Sequence, residues 1–378
     1  MMILCGCGKE TKEDVIKDLD NMVKNVKSYK LTGTMEINND EETFNYSLES
    51  SYLKDNYYKV RLVNLTNNHE QIILKNNQDV YVITPSLNKS FKFQSDWPNN
   101  SSQAYLYESI IKDIKNDTSV EIEEKDNIHI IKSKVNYPNN EELKYQKVYL
   151  NKDKKIEKVE VFDENDTVKI KVTFTNIDLK AKLKEKDFDL KNYITEDNNG
   201  NNNGNNNSNT DAKKNNNKEP NDNTTNEEKN NTTNTENNTK ENKENCNSEN
   251  DKSCQIKDEK TGTIENIIYP LYIPSNTYLT SAEKIDLQDK NRVILTFSGE
   301  KNFVLIEEIA TAKSEMEIVP VYGEPLMLSE SIGALSANSL SWDKGNISYY
   351  LASTELSKGE MKTIANSLGN NTLVNKEK

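Results

Sequence analysis

The chain has 378 residues, 33% of them apolar, and a formal charge of −13 from 62 acidic and 49 basic side chains. Lysine and glutamate are interspersed without a clustered basic face, which excludes a nucleic-acid partner. Two histidines, His69 and His129, are too few for histidine-rich metal sites or histidine-based triads, and no stretch approaches the ~18 apolar residues that cross a bilayer.

The length suits two or three domains by the usual prior, and the composition says where to divide it. Residues 197–260 hold only Ala212, Cys246, Cys254 and Ile256 as apolar side chains. Residues 198–250 are dominated by asparagine, with Thr, Ser, Lys and Glu, and cannot bury enough surface to offset ordering entropy. The expected organisation is a signal remnant at 1–8, a domain at 9–195, a disordered linker at 196–260, a small domain at 261–369 and a tail at 370–378. The two domains are expected to fold independently, with little mutual constraint. Cys246 and Cys254 stand eight positions apart and could close a small disulfide loop; sequence alone leaves their pairing open.

At the N-terminus, Leu4-Cys5-Gly6-Cys7 follows a short apolar start. This resembles a bacterial lipobox and makes Cys7 the residue to be acylated. A positive n-region and most of an apolar h-region are missing before it; a start codon upstream of the recorded one would supply them. The alternative is a small metal or redox pair of Cys5 and Cys7.

Thr11-Lys12-Glu13-Asp14 reads as a capping box. Val15, Leu19, Met22, Val23 and Val26 then form one helical stripe facing a core. From Ser28 the period changes to two: Leu31, Gly33, Met35 and Ile37, then Phe44, Tyr46 and Leu48, then Tyr58, Val60 and Leu62. Further strands are expected at 72–74 and 80–83. After Ser95-Asp96-Trp97-Pro98 a helix is expected over 102–115, burying Leu106, Tyr107, Ile110, Ile111 and Ile114. Strands resume at 120–124, 128–135, 145–150, 158–163 and 169–176. The order predicts a long antiparallel sheet with two helices on one face.

In the second domain, Ile267 to Pro274 reads as an extended edge segment. Residues 293–297 and 303–306 form a hairpin around Ser298–Asn302, and 318–321 is another strand. Residues 340–343 and 347–351 pair around Asp343-Lys344-Gly345-Asn346. Ser357 and Glu360 cap a terminal helix presenting Met361, Ile364, Ala365 and Leu368, with Gly369 at its C′ position.

A leading helix, an antiparallel meander, a helix after an aromatic-proline turn and a closing run of strands resemble the LolA/RseB fold over residues 9–194. That resemblance implies an α+β protein whose N-terminal sheet is an incurved half-barrel with covering helices. In those families the cavity holds lipoprotein acyl chains or peptide signals. The string from Ser341-Trp342 through Tyr350-Leu351 to Met361-Lys362-Thr363-Ile364 resembles the small C-terminal domain of Bacillus and Clostridium sporulation lipoproteins. The two resemblances together imply a lipid-anchored protein on the extracytoplasmic face of the cell membrane. It would act in sporulation, germination or envelope maintenance through a lipid or a protein partner.

The chain has no P-loop, GxGxxG, G-x-S-x-G or H-E-x-x-H motif, and no cofactor or catalytic residue is assigned. Acidic pairs such as Glu41-Glu42, Glu123-Glu124 and Glu141-Glu142 keep a cell-wall hydrolase as the alternative to a binding protein. The candidate ligand surface is one face of the curved sheet: Phe44, Tyr46, Leu48, Val60, Leu62 and Val82, with Trp97 as a lid or a packing anchor. A core filled by helix side chains is the competing reading of the same residues.

Overall fold

The computed structural model describes residues 11–125, 128–194, 264, 266–287 and 290–369. The four cysteines, Cys5, Cys7, Cys246 and Cys254, lie outside the described residues, as do the expected linker and tail. The chain opens with α1 (Lys12–Asn25), where the Thr11 side chain accepts from the Asp14 amide and the Asp14 carboxylate reaches back to Thr11. Then come β1 (Ser28–Asn38), β2 (Thr43–Leu53), β3 (Tyr57–Asn64), β4 (Glu70–Asn76), β5 (Asp79–Thr84) and β6 (Lys89–Phe93). After α2 (Tyr107–Asn116) follow β7 (Glu121–Lys125), β8 (Ile128–Lys134), β9 (Tyr145–Leu150), β10 (Ile156–Phe162) and β11 (Val168–Asp178).

The C-terminal half holds β12 (Thr277–Leu287), β13 (Lys290–Gly299), β14 (Phe303–Ile309), β15 (Glu317–Val321), β16 (Gly323–Met327), β17 (Ile332–Ser336), β18 (Ser339–Lys344), β19 (Ile347–Ala352) and α3 (Lys358–Asn366). The architecture is mostly sheet with few helices. One open sheet runs β15-β6-β5-β4-β3-β2-β1-β11-β10-β9-β8-β7 and the other β12-β13-β14-β19-β18-β17-β16.

The two-residue period divides the first sheet's faces. Tyr58, Val60, Leu62, Ile73, Val80 and Val82 join the core beneath α1 and α2. Their neighbours Ile72, Leu74, Tyr81 and Ile83 meet Phe188 on the other side. Gly33 marks the one place where β1 and β11 slip register, and a Cβ there would lie 2.0 Å from the Thr173 carbonyl oxygen. Glycine is needed for that approach.

Strand ends shift by up to three residues from the expected ones, and two helix ends differ for a local reason. The second helix starts at Tyr107 because residues 102–106 are tied into loop pairing. The Ser102 amide donates to the Asn136 carbonyl (2.7 Å), and the Gln103 amide donates to Ser109 Oγ (2.8 Å). In α3 the Ser357 cap and Glu360 partner form as expected. The helix ends at Ser367, however, and Leu368 bridges Pro270, so Gly369 lies beyond the C′ position.

The larger correction concerns independence. The described residues before 197 and after 261 form one compact unit. The strand expected at 318–321 exists, but it leaves the second sheet and pairs parallel with β6, from Glu317 opposite Lys89 to Val321 opposite Phe93. Val319 and Val321 pack on the first core, and Ile332 and Ala334 of β17 are members of it. The buried Gln71 amide meets the Ile332 backbone twice, accepting its N–H (2.5 Å) and donating to its carbonyl (3.3 Å). Buried apolar surface and paired polar groups therefore cross between the halves, which a loose tether would not produce.

Candidate functional site: a cavity where the two halves meet

The expected ligand face is largely filled. Tyr46, Leu48, Val60, Leu62 and Val82 are all buried in the first core, and Phe44 is half-buried against it. Leu48, Val60 and Val82 do not line the large cavity. Tyr46 and Leu62 line a void of about 10 Å³ beside His69, Gln71 and Ile332, too small for a ligand. Trp97 alone of these residues lines the large cavity. It is also anchored: its ring stands edge-on to Tyr58 at 5.9 Å and its carbonyl accepts from Lys75 Nζ at 2.5 Å.

The cavity is about 520 Å³, within the ordinary range of small-molecule sites. Its N-terminal wall comes from the end of β1 (Ile37), from the loop before α2 (Trp97, Tyr105) and from the loop before β9 (Tyr137, Leu143). Its C-terminal wall comes from β16 and the turn after it (Leu326, Met327, Leu328) and from β17 (Ile332). Gly359, Lys362, Thr363 and Asn366 of α3 close it. These four recur at i, i+3, i+4 and i+7 and so share a helix face. Met361, Ile364 and Ala365 bury the opposite face in the second core.

Polar and charged groups share the lining with these apolar side chains. Lys169 is nearly enclosed and ion-pairs with Asp40 and, at 3.6 Å, with Asp163. Glu324 of β16 accepts amide hydrogen bonds from Asn100 and Asn139 and stands 3.5 Å from Lys358 Nζ. One carboxylate is thus held by two loops of the N-terminal half and by α3. Glu41, Glu141 and Glu142 are exposed at the mouth. Burial pushes the Lys362 ammonium down to about 8, while Glu142 raises it and Lys169 lowers it further.

Burial pushes the Tyr105 phenol above its usual value, which keeps it a neutral donor, and its hydroxyl donates to Gln103 Oε1 at 2.5 Å. A second hollow of about 290 Å³, lined by polar side chains including Asn99, Asp113, Asn116 and Lys134, lies beside α2. Burial raises the Asp113 carboxyl there to about 6.

Most residues of the larger cavity escaped the sequence reading. Lys362, Thr363 and Asn366 look like a solvated helix face, and only the C-terminal half's placement turns that face inward. The signal that was available is the complementary stripe: once Met361, Ile364 and Ala365 are assigned to a core, the other face must meet solvent or a ligand. Among the described residues no cluster of three or more His, Cys, Asp or Glu could hold a metal ion, and no helix is long and apolar enough to cross a membrane.

Residues 1–188 match the family described as Sporulation protein YdcC-like. Sporulation protein YdcC of Bacillus subtilis (strain 168) is 34% identical over 369 residues, which is 97% of this chain and 93% of that one. The chain belongs to the YdcC-like sporulation protein family. At 369 residues, the match to the Bacillus YdcC protein takes in both walls of the cavity.

Likenesses to solved structures are weaker. The Pseudomonas aeruginosa MucA/MucB complex is 10% identical at a TM-score of 0.29, covering 94% of this chain and 98% of that one. A LolA-superfamily protein from Nitrosomonas europaea is 11% identical at a TM-score of 0.30, covering 49% and 100%.

Proposed function

We propose that this YdcC-like chain is a lipid-anchored, extracytoplasmic binding protein without catalytic activity. It would act in sporulation, germination or envelope maintenance by holding an apolar ligand, a lipid or a segment of a cell-wall protein, in the cavity. The observation that carries the reading is the cavity itself: about 520 Å³, walled by Trp97, Tyr105 and Tyr137 on one side and by Leu326 and Met327 on the other. A concave pocket that combines an apolar stretch with convergent polar groups is the default binding site. In this reading the first sheet is the incurved wall of a LolA-like half-barrel, roofed in part by the C-terminal half.

The sporulation setting rests on family membership, and the anchor rests on Leu4-Cys5-Gly6-Cys7. A diacylated Cys7 would carry two chains, which hold a protein on a membrane where one chain is marginal.

Titration with N-phenylnaphthylamine, a neutral dye that brightens in apolar surroundings, tests the cavity. The proposal requires saturable binding at one site per chain. Fractionation of the protein expressed with an upstream signal tests the anchor: Cys7→Ala should move it from the membrane pellet to the soluble fraction.

A further inference from the structure

The charges around the cavity are unequally satisfied. Lys169 is shared between Asp40 and Asp163, and Glu324 is held by Asn100, Asn139 and Lys358. The mouth carboxylates Glu41, Glu141 and Glu142 are exposed, so water solvates them. Lys362 is different. It is half-buried on the cavity wall and makes no hydrogen bond or ion pair with any described residue.

Its neighbours on α3 are already engaged. The Thr363 hydroxyl donates to the Gly359 carbonyl (3.0 Å), and Asn366 Oδ1 accepts from the Ser329 amide (3.0 Å). An ammonium with three donors, drawn partly out of water and given no acceptor, is costly unless something supplies one. Among the many polar residues of the lining, Trp97, Tyr105, Tyr137, Leu326 and Met327 give the same cavity an apolar stretch, so a supplier with an apolar body has a surface to lie on.

We propose that the cavity takes an anionic amphiphile, its chain against Trp97, Tyr105 and Tyr137 and its carboxylate or phosphate head on Lys362. This deepens the binding function proposed above and rests on it. Because burial brings the lysine to about 8, it still carries its proton at neutral pH and can donate a charge-assisted hydrogen bond. Glu142 and Lys169 are the charged groups that act on it most, and their effects oppose each other.

The experiment uses the full chain with N-phenylnaphthylamine bound, displaced by decanol, decanoate or decyl phosphate below their micellar concentrations. At pH 7 the two anions should displace the dye at concentrations about tenfold lower than decanol, as one charge-assisted hydrogen bond predicts. The better of the two names the head group. Lys362→Met should remove the anions' advantage, read as the ratio of displacing concentrations of anion and decanol measured within the same variant. Lys362→Arg should keep it, and matched thermal unfolding of both variants shows that the fold is intact.

Equal displacement by decanol and the anions, or an advantage that survives in Lys362→Met, overturns the inference while the binding function stands. Failure of the wild-type protein to bind the dye overturns the binding function, and this inference with it.

Discussion

Lys89 of β6 reaches across to Asp343 of β18, placing its Nζ 2.9 Å from one carboxylate oxygen and 3.3 Å from the other. Asp343 is wholly buried and also accepts from the Ser348 hydroxyl. The pair joins the two sheets; Asp343 is cut off from water, while the Lys89 side chain stays partly exposed. Asp343→Ala should cost about 1–3 kcal/mol in urea unfolding, because it leaves the Ser348 hydroxyl and a largely enclosed ammonium without their shared acceptor. Lys89→Met combined with Asp343→Leu should cost much less. Equal losses in the two proteins would mean that packing, and not the ion pair, carries the contact.

The parallel pairing of β6 with β15 makes a second claim about the halves. Separately produced pieces 1–197 and 261–378 should associate when mixed, co-elute and unfold in one transition. The N-terminal piece lacks β15, which leaves the β6 edge and the Val319 and Val321 contacts uncovered. Two pieces that stay apart on a sizing column, each with its own transition, would show that the halves are independent after all.

Leu62 distinguishes a filled face from an open one. Its side chain is 2% exposed among Tyr46, Val60 and the β17 residues. Leu62→Glu should destabilise by several kcal/mol, the cost of burying an unpaired carboxylate. A variant that melts like the wild type would place this residue near solvent and reopen the sheet face as a ligand surface.

Glu307 makes stability depend on pH. It is wholly buried in β14, and its two oxygens share the Ile268 amide at 3.2 Å. Burial raises its carboxyl to about 7, against about 4.3 in an unfolded chain. Between those values the native state keeps a proton that the unfolded state has released. This group's contribution therefore falls as pH rises to about 7 and stays low above it. Glu307→Gln keeps the acceptor without the charge. It should be more stable than the wild type at pH 8, by on the order of 3 kcal/mol, and equal to it near pH 4. The same advantage at both pH values would show that the carboxyl is not titrating in this range.

Local chemistry was legible where it acts alone. The Thr11 and Ser357 capping boxes, the Gly345 turn and the alternation along β3 and β11 all follow from side chains a few residues apart. What was hidden depends on distant partners. In β16 and β17, Pro325, Gly323 and Gly333 erase the alternation; Gly323 is there because a Cβ would fall 1.8 Å from the Leu335 carbonyl oxygen. In β15, Val319 and Val321 look like any short strand, and nothing local names the parallel partner 228 positions away, Lys89 to Glu317. The cavity inherits that blindness, since its walls come from segments that only this pairing brings together. Trp97 was singled out because an aromatic-proline turn is visible by itself; Lys362 was passed over because a lysine on a helix usually meets water.

Gly359 offers the most direct test that this cavity is the binding site. It lines the cavity near the start of α3, and a Cβ there would meet nothing closer than Ser357 Oγ at 3.9 Å. The residue is exposed at the cavity's rim, so a larger side chain fits there without forcing the backbone and can cover the opening, and a helix accepts the loss of glycine readily. The measurement is N-phenylnaphthylamine titration of the wild type and of Gly359→Phe, with thermal unfolding of both. One saturable site is expected in the wild type, lost or weakened at least tenfold in Gly359→Phe, with an unfolding temperature no lower than the wild type's. Unchanged dye binding in a folded Gly359→Phe protein would contradict the cavity's role as the binding site.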